Sequence, residues 1–199
     1  MNRWVRKITA GVALLGLAAA GTSCGDEPDT EVFFVGDSLV EFWDAGRSFP
    51  TLRFRNLGRA GAGIAYLGEL GDRVARREVV LLIGTNDAWQ FVFDGVEDYA
   101  DRYIAAARGL KAGKIYLFSV LPRSLSTDTD GLREAIPRFN SEIRGRLDEF
   151  GCEVVYIDVY DKMRDGDSFG IQPALSPDGI HLNSYGYEIL TEELWKKLK

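Results

Sequence analysis

The sequence predicts an α/β sandwich built on a mostly parallel sheet. Three observations lead there: five short apolar runs recur along the chain, helical patterns separate several of them, and four of the runs are almost uninterrupted in apolar residues. Strands buried on both faces read as continuous apolar runs, whereas strands with one wet face alternate. Strands alternating with helices over a whole domain are the pattern of a layered α/β fold.

The strand runs are Val32–Val35, Leu52–Arg55, Val79–Ile83, Ile115–Val120 and Val154–Val159, all but the second near-continuously apolar. Tyr99, Tyr103, Ala106, Ala107 and Leu110 fall at helical spacing and predict a helix over Glu97–Lys111, stopped by Gly113. Leu132, Ile136, Phe139, Ile143 and Leu147 share one helical face and predict a helix over Leu132–Phe150, with Pro137 inside it or near its first turn. Ser184–Leu198 reads as a closing amphipathic helix. In parallel sheets ligands bind beyond the carboxyl ends of the strands, so the loops after each strand are where chemistry is sought.

The 199 residues suit one domain, and 46% apolar against 27% charged residues is an ordinary folded composition. The first 24 residues differ from the rest. Arg3, Arg6 and Lys7 precede the uncharged stretch Ile8 to Ala20, which is too short to span a bilayer comfortably, so residues 1–24 read as an export signal. Cys24 after Gly21-Thr22-Ser23 resembles a bacterial lipobox, with Gly21 where Leu usually stands. Lipidation of Cys24 would make a membrane-anchored lipoprotein; the other reading is simple secretion with Ala18-x-Ala20 as the cleavage signal. Residues 25–30 form a polar tether, and 31–199 the folded domain.

Cys24 and Cys152 are the two cysteines, which excludes a disulfide framework and a cysteine-based zinc site. Removing residues 1–24 takes away three basic residues and no acid, leaving 21 Lys+Arg against 30 Asp+Glu, a net charge of −9. That argues against nucleic acid and polyanionic substrates.

Four loops carry chemistry. Gly36-Asp37-Ser38-Leu39 follows the first strand, with Ser38 at a strand-to-helix turn suited to a nucleophile or to a plain helix cap. Asn56-Leu57-Gly58-Arg59-Ala60-Gly61-Ala62-Gly63 follows the second; its glycine spacing is G-x-x-G-x-G rather than that of a dinucleotide loop. Gly84-Thr85-Asn86-Asp87 follows the third and offers the Asn86 amide. Asp178-Gly179-Ile180-His181 precedes the last helix and holds the one histidine of the chain, with Asp178 close enough to hold its ring. The metal reading of Asp-x-x-His lacks further ligands. Together these loops supply a nucleophile, a base, an orienting acid and oxyanion donors, a complete set for acyl transfer. Trp89, Gln90, Phe91 and Phe93 after the Asn86 loop, joined by Trp43, read either as walls of the cleft or as core.

The order and content of these blocks resemble the SGNH (GDSL-type) hydrolase family, from about Val32 to Leu194. The resemblance implies a flavodoxin-like three-layer fold with a five-stranded sheet, and ester hydrolysis without a cofactor. It implies a triad of Ser38, His181 and Asp178, with an oxyanion hole from the N–H groups of Ser38 and Gly61 and the Asn86 side chain. Gly58 and Gly63 compete with Gly61 for the backbone donor. Size, short connections and export favour short acyl groups, acetyl foremost, on carbohydrate. Lysophospholipids, thioesters, a catalytically inactive surface binding module and a flavoprotein are the alternatives.

Overall fold

The computed structural model describes residues 31–166 and 168–198. The expected export signal, Cys24 and the expected tether lie outside them. Among the described residues no helix is long and apolar enough to cross a membrane.

Five strands form one sheet in the order β2-β1-β3-β4-β5, where β1 is Val32–Gly36, β2 Phe54–Gly58, β3 Glu78–Leu82, β4 Lys114–Phe118 and β5 Glu153–Ile157. Every pairing is parallel, so the sheet is wholly rather than mostly parallel. This is the flavodoxin-like strand order. Successive side chains point to opposite faces, and the core divides accordingly. Phe33, Val35, Val79, Leu81, Ile115 and Leu117 face one layer; Val32, Phe34, Val80, Leu82, Tyr116 and Phe118 face the other.

Helices cover both faces. In chain order they are α1 Ser38–Glu41, α2 Ala45–Ser48, α3 Gly71–Val74, α4 Gln90–Phe93, α5 Val96–Gly109, α6 Asp130–Gly145, α7 Tyr160–Met163 and α8 Ser184–Trp195. The first layer packs against α5 and α6 through Tyr99, Tyr103, Ile136 and Phe139. The second packs against α1, α2 and α8 through Val40, Phe49, Leu190 and Leu194.

The departures from expectation have local causes. The second strand lies at Phe54–Gly58, displaced from Leu52–Arg55 toward the motif. Its pairing with β1 runs from Phe54 opposite Val32 to Gly58 opposite Gly36, so the partner's register sets its limits. The fifth strand is not buried on both faces; it is a sheet edge whose first four residues are partly or fully exposed. Gly113 does not end α5. The helix closes at Gly109, with Lys111 in the left-handed region at φ 51. The helix expected to reach Phe150 breaks at Arg146 (φ −129, ψ 28) and resumes as a 3₁₀ turn over Leu147–Phe150. Pro137 sits inside α6, where it has no N–H to return to the carbonyl of Arg133.

Candidate active site

The sheet brings the loops after β1, β2 and β3 to one rim, at the point where the strand order reverses on either side of β1. The loop before α8 closes over them. Asp37 caps α1, its Oδ1 accepting from the Leu39 N–H at 2.9 Å, which places Ser38 at the start of the helix. Gly58 lets β2 approach: a Cβ there would stand 2.2 Å from the Glu41 nitrogen.

Ser38 is 4% exposed, and its Oγ lies 3.0 Å from His181 Nε2. On the far side of the ring, Nδ1 lies 2.7 Å from Asp178 Oδ2. Asp178 Oδ1 also accepts from the backbone N–H groups of Ile180 (3.0 Å) and His181 (2.7 Å). Partial burial alone would raise the Asp178 pKa. The hydrogen bonds from the His181 ring and from those two N–H groups outweigh it and hold the carboxyl at about 2. Asp178 is therefore a standing anion that favours the proton on Nδ1 and leaves Nε2 a bare acceptor for the Ser38 hydroxyl. Ser176 Oγ donates to the His181 carbonyl at 2.8 Å, and Ser124 N–H donates to the Gly179 carbonyl at 2.7 Å, so the loop is tied on both sides.

After β2, the turn Arg59–Ala62 is closed by Ala62 N–H to Arg59 O (3.0 Å), with Gly61 exposed at φ +73. A type II turn needs a positive φ at that position, which glycine adopts without strain. Of the competing glycines, Gly58 already spends its N–H on Asn56 Oδ1 (2.8 Å), and Gly63 is packed against the Asp87 carboxylate. The exposed Asn86 donates one amide hydrogen to the Ala62 carbonyl at 3.0 Å and has a second for a ligand. Asp87 Oδ2 accepts from Ile64 N–H and Tyr99 O–H, each at 2.7 Å.

A family model described as GDSL-like Lipase/Acylhydrolase matches residues 34–189. The chain belongs to the GDSL-like lipase/acylhydrolase family. This GDSL-like acylhydrolase is an ester hydrolase. A solved GDSL-like lipase from Bacteroides thetaiotaomicron is 23% identical with a TM-score of 0.65, over 85% of this chain and 88% of that one. An acetylxylan esterase from Geobacillus stearothermophilus is 18% identical with a TM-score of 0.58, over 85% and 94%. At these identities the likeness is one of fold. An N-acylneuraminate cytidylyltransferase of Escherichia coli is 26% identical over an alignment of 187 residues, covering 85% of this chain and 41% of the relative. The chain thus spans about two-fifths of that relative's length.

Not every expected site residue lies at the rim of the acylhydrolase. Trp43 and Phe91, expected to wall the cleft, are each 2% exposed and belong to the core. The Trp43 ring meets Phe34 edge-on at 5.4 Å, and its N–H reaches Ser48 and Thr191 hydroxyls at 3.2 Å. Phe91 stacks on Phe139 with centroids 4.4 Å apart. Trp89 is half-buried and stacks on the exposed Phe93.

Two residues that sequence reasoning missed stand close to the site. Phe42 is 55% exposed, its ring centroid 5.5 Å from that of His181. Arg123 is buried, paired with Asp128 through two hydrogen bonds of 3.0 and 2.8 Å, and donates to the Thr85 carbonyl at 2.6 Å, buttressing the Asn86 loop. Phe42 lies one helical turn beyond Ser38, a spacing that becomes informative only once the helix is known; Arg123 carried no signal.

Two clefts of about 340 and 370 Å³ flank Phe169 and contain no residue of the Ser38–His181–Asp178 chain. Among the described residues no group of three or more His, Cys, Asp or Glu side chains is placed to hold a metal ion.

Proposed function

We propose that Ser38, His181 and Asp178 act as nucleophile, base and orienting acid in the hydrolysis of short acyl esters, acetyl esters of carbohydrate foremost, by an exported enzyme. The observation that carries this is the unbroken chain from Ser38 Oγ through the imidazole to Asp178, at 3.0 and 2.7 Å. As Ser38 Oγ bonds to the acyl carbon, its proton passes to His181 Nε2 and the carbonyl oxygen becomes an anion. The N–H groups of Ser38 and Gly61 and the free Asn86 amide hydrogen are the donors for that anion. Collapse breaks the bond to the alcohol oxygen, which takes the proton from Nε2. Water then repeats the sequence on the acyl-enzyme.

The substrate reading rests on short connections between the strands and the site, on the aromatic surface of Phe42 beside His181, and on the basic and apolar start of the chain. Acetylxylan hydrolysis is also the activity named for one fold neighbour. A fatty acyl or lysophospholipid substrate is the second reading, favoured by the exposed apolar side chains of Val92 and Phe93.

Ser38→Ala tests the mechanism. It should fold normally, lose fluorophosphonate labelling and lose ~10⁶-fold in kcat, the scale for a triad nucleophile. Near-normal turnover would refute the assignment. A series of p-nitrophenyl esters tests the acyl half, since a buried CH₂ contributes ~0.8 kcal/mol where a tunnel receives it. A kcat/KM that rises with each carbon, with no acetate released from acetylated oligosaccharides, selects the lipid reading.

A further inference from the structure

We infer that the Phe42 ring is the wall against which the alcohol half of the ester lies, so that this enzyme selects esters of ring-shaped alcohols. The inference rests on the proposed Ser38–His181 mechanism and names the part of the substrate that the mechanism leaves open.

The chemistry fixes a direction. When the tetrahedral adduct collapses, the leaving oxygen receives its proton from His181 Nε2, so it must come within hydrogen-bond reach of that atom. The acyl carbon is bonded to Ser38, and the carbonyl oxygen points at the donors across from the imidazole. The alcohol therefore leaves on the His181 side, and whatever side chain borders the imidazole there borders the alcohol.

That side chain is Phe42. Five large apolar side chains are exposed among the described residues: Phe42, Val92, Phe93, Phe169 and Tyr185. Of these, Phe42 has its ring beside the imidazole, with centroids 5.5 Å apart and planes at 51°. Its neighbours in the chain show that this exposure is a choice of face. Leu39, Val40 and Trp43 turn inward and are at most 2% exposed, while Phe42 points outward at 55%.

The ring stands on a firm base. Phe42 N–H donates to the Ser38 carbonyl at 3.0 Å, so one helical turn fixes its distance from the nucleophile. Asn56 Nδ2 donates to the Val40 carbonyl at 2.8 Å, and Tyr187 O–H to the Leu39 carbonyl at 3.0 Å. An aromatic face held in place offers the C–H face of a sugar or other ring a broad contact, and offers an ethyl or glyceryl group little.

The test keeps the acyl group as acetyl and varies the alcohol. kcat/KM is measured for ethyl acetate, cyclohexyl acetate and an acetylated methyl glycoside, in wild type, Phe42→Ala and Phe42→Trp. Labelling by diisopropyl fluorophosphate, whose leaving group is fluoride, reports Ser38 reactivity without an alcohol. In Phe42→Ala the ring-to-ethyl ratio of kcat/KM should fall roughly five- to tenfold, the scale of one aromatic contact, and Phe42→Trp should restore it. The breakdown rate of the acetyl-enzyme, reached after the alcohol has gone, should not follow that ratio. An unchanged ratio would overturn the inference, whether all esters slow equally with slower labelling, as for a residue that only positions His181, or none slows at all. If wild-type Ser38 neither labels nor turns over any ester, the hydrolytic mechanism itself has failed.

Discussion

Replacing Asp37 by Asn should change how stability depends on pH. Asp37 is fully buried, with Oδ1 capping α1 and Oδ2 meeting no hydrogen-bond partner among the described residues. Burial pushes its pKa up to about 7, against the pull of the Leu39 N–H and the His181 charge. In the unfolded chain an Asp titrates near ~3.9. Between those values the native state holds a proton that the unfolded state has released, so stability falls as pH rises. The stability associated with protonated Asp37 is fully present below ~4 and gone above ~7, a fall of ~1.4 kcal/mol per pH unit and ~4 kcal/mol in all.

Asn keeps the cap oxygen and cannot ionise. It leaves a buried amide N–H₂ where Oδ2 stood, which adds a cost that does not vary with pH. The readout is therefore a slope. Urea unfolding of wild type and Asp37→Asn at steps from about pH 5 to about pH 8 should show the difference in ΔG moving by ~2.5 kcal/mol in favour of the variant. Groups that titrate alike in both proteins cancel in that difference. A difference that stays flat across the range would refute a buried, desolvated Asp37.

Other variants probe separate parts of the site. Asn86→Ala should lower kcat by ~10²–10³ with a smaller change in KM, as for other oxyanion donors; a change in KM alone would reduce Asn86 to binding. Asp128→Ala leaves the buried Arg123 guanidinium without its carboxylate and should cost ~3–5 kcal/mol in urea unfolding. A loss below 1 kcal/mol, by the scale of exposed pairs, would mean that water reaches Arg123. In pH–rate profiles kcat/KM should fall on the acid side as His181 gains the proton that blocks it as a base. Asp178 is already ionised there, being held at about 2, so a second acid-side step above pH 4 that persists in Asp37→Asn would contradict its hydrogen bonding.

The sheet was legible because its strands are short apolar runs and the loops after them carry the motif residues. The parts that were not legible share physical reasons. The strand at Phe54–Gly58 is an edge with the burial of a half-wet ribbon, so hydrophobicity alone does not mark its ends; pairing to β1 does. The break at Arg146 interrupts a helix whose apolar spacing continues through Leu147, and periodicity is blind to a break that preserves the face. The aromatic positions stayed open between cleft and core for a related reason. Elements α1 and α4 are four residues long, too short to display a period, so nothing in the order Phe42, Trp43 or Phe91, Phe93 says which ring turns inward. Three dimensions decide it: Trp43 and Phe91 fill core, while Phe42 and Phe93 face solvent. Buried Arg123 is further from reach, since its partners Asp128 and Thr85 meet it only through the β4–α6 loop.

The loop around Gly61 shows how the fold turns a flexible sequence into a fixed arrangement. Residues 58–63 carry three glycines, a composition with high conformational entropy when unfolded. An oxyanion donor helps only if it is already aimed when charge develops, because reorientation would consume the stabilisation. The loop is therefore held from outside. Glu41, one turn after Ser38, accepts from Ala60 N–H at 2.8 Å; Asn86 binds the Ala62 carbonyl at 3.0 Å; Asp87 accepts from Ile64 N–H at 2.7 Å. These anchors belong to the elements that present the other two proposed donors, Ser38 and Asn86, so a shift in one donor is opposed through bonds to the others. Burial and the Asp87 carboxylate raise the Tyr99 pKa far above neutrality, which keeps its O–H a donor and Asp87 in place. On this geometry the three donors move as one unit. Replacing Asp87, which touches no substrate in the proposed mechanism, should then lower kcat through the Gly61 loop while KM changes little.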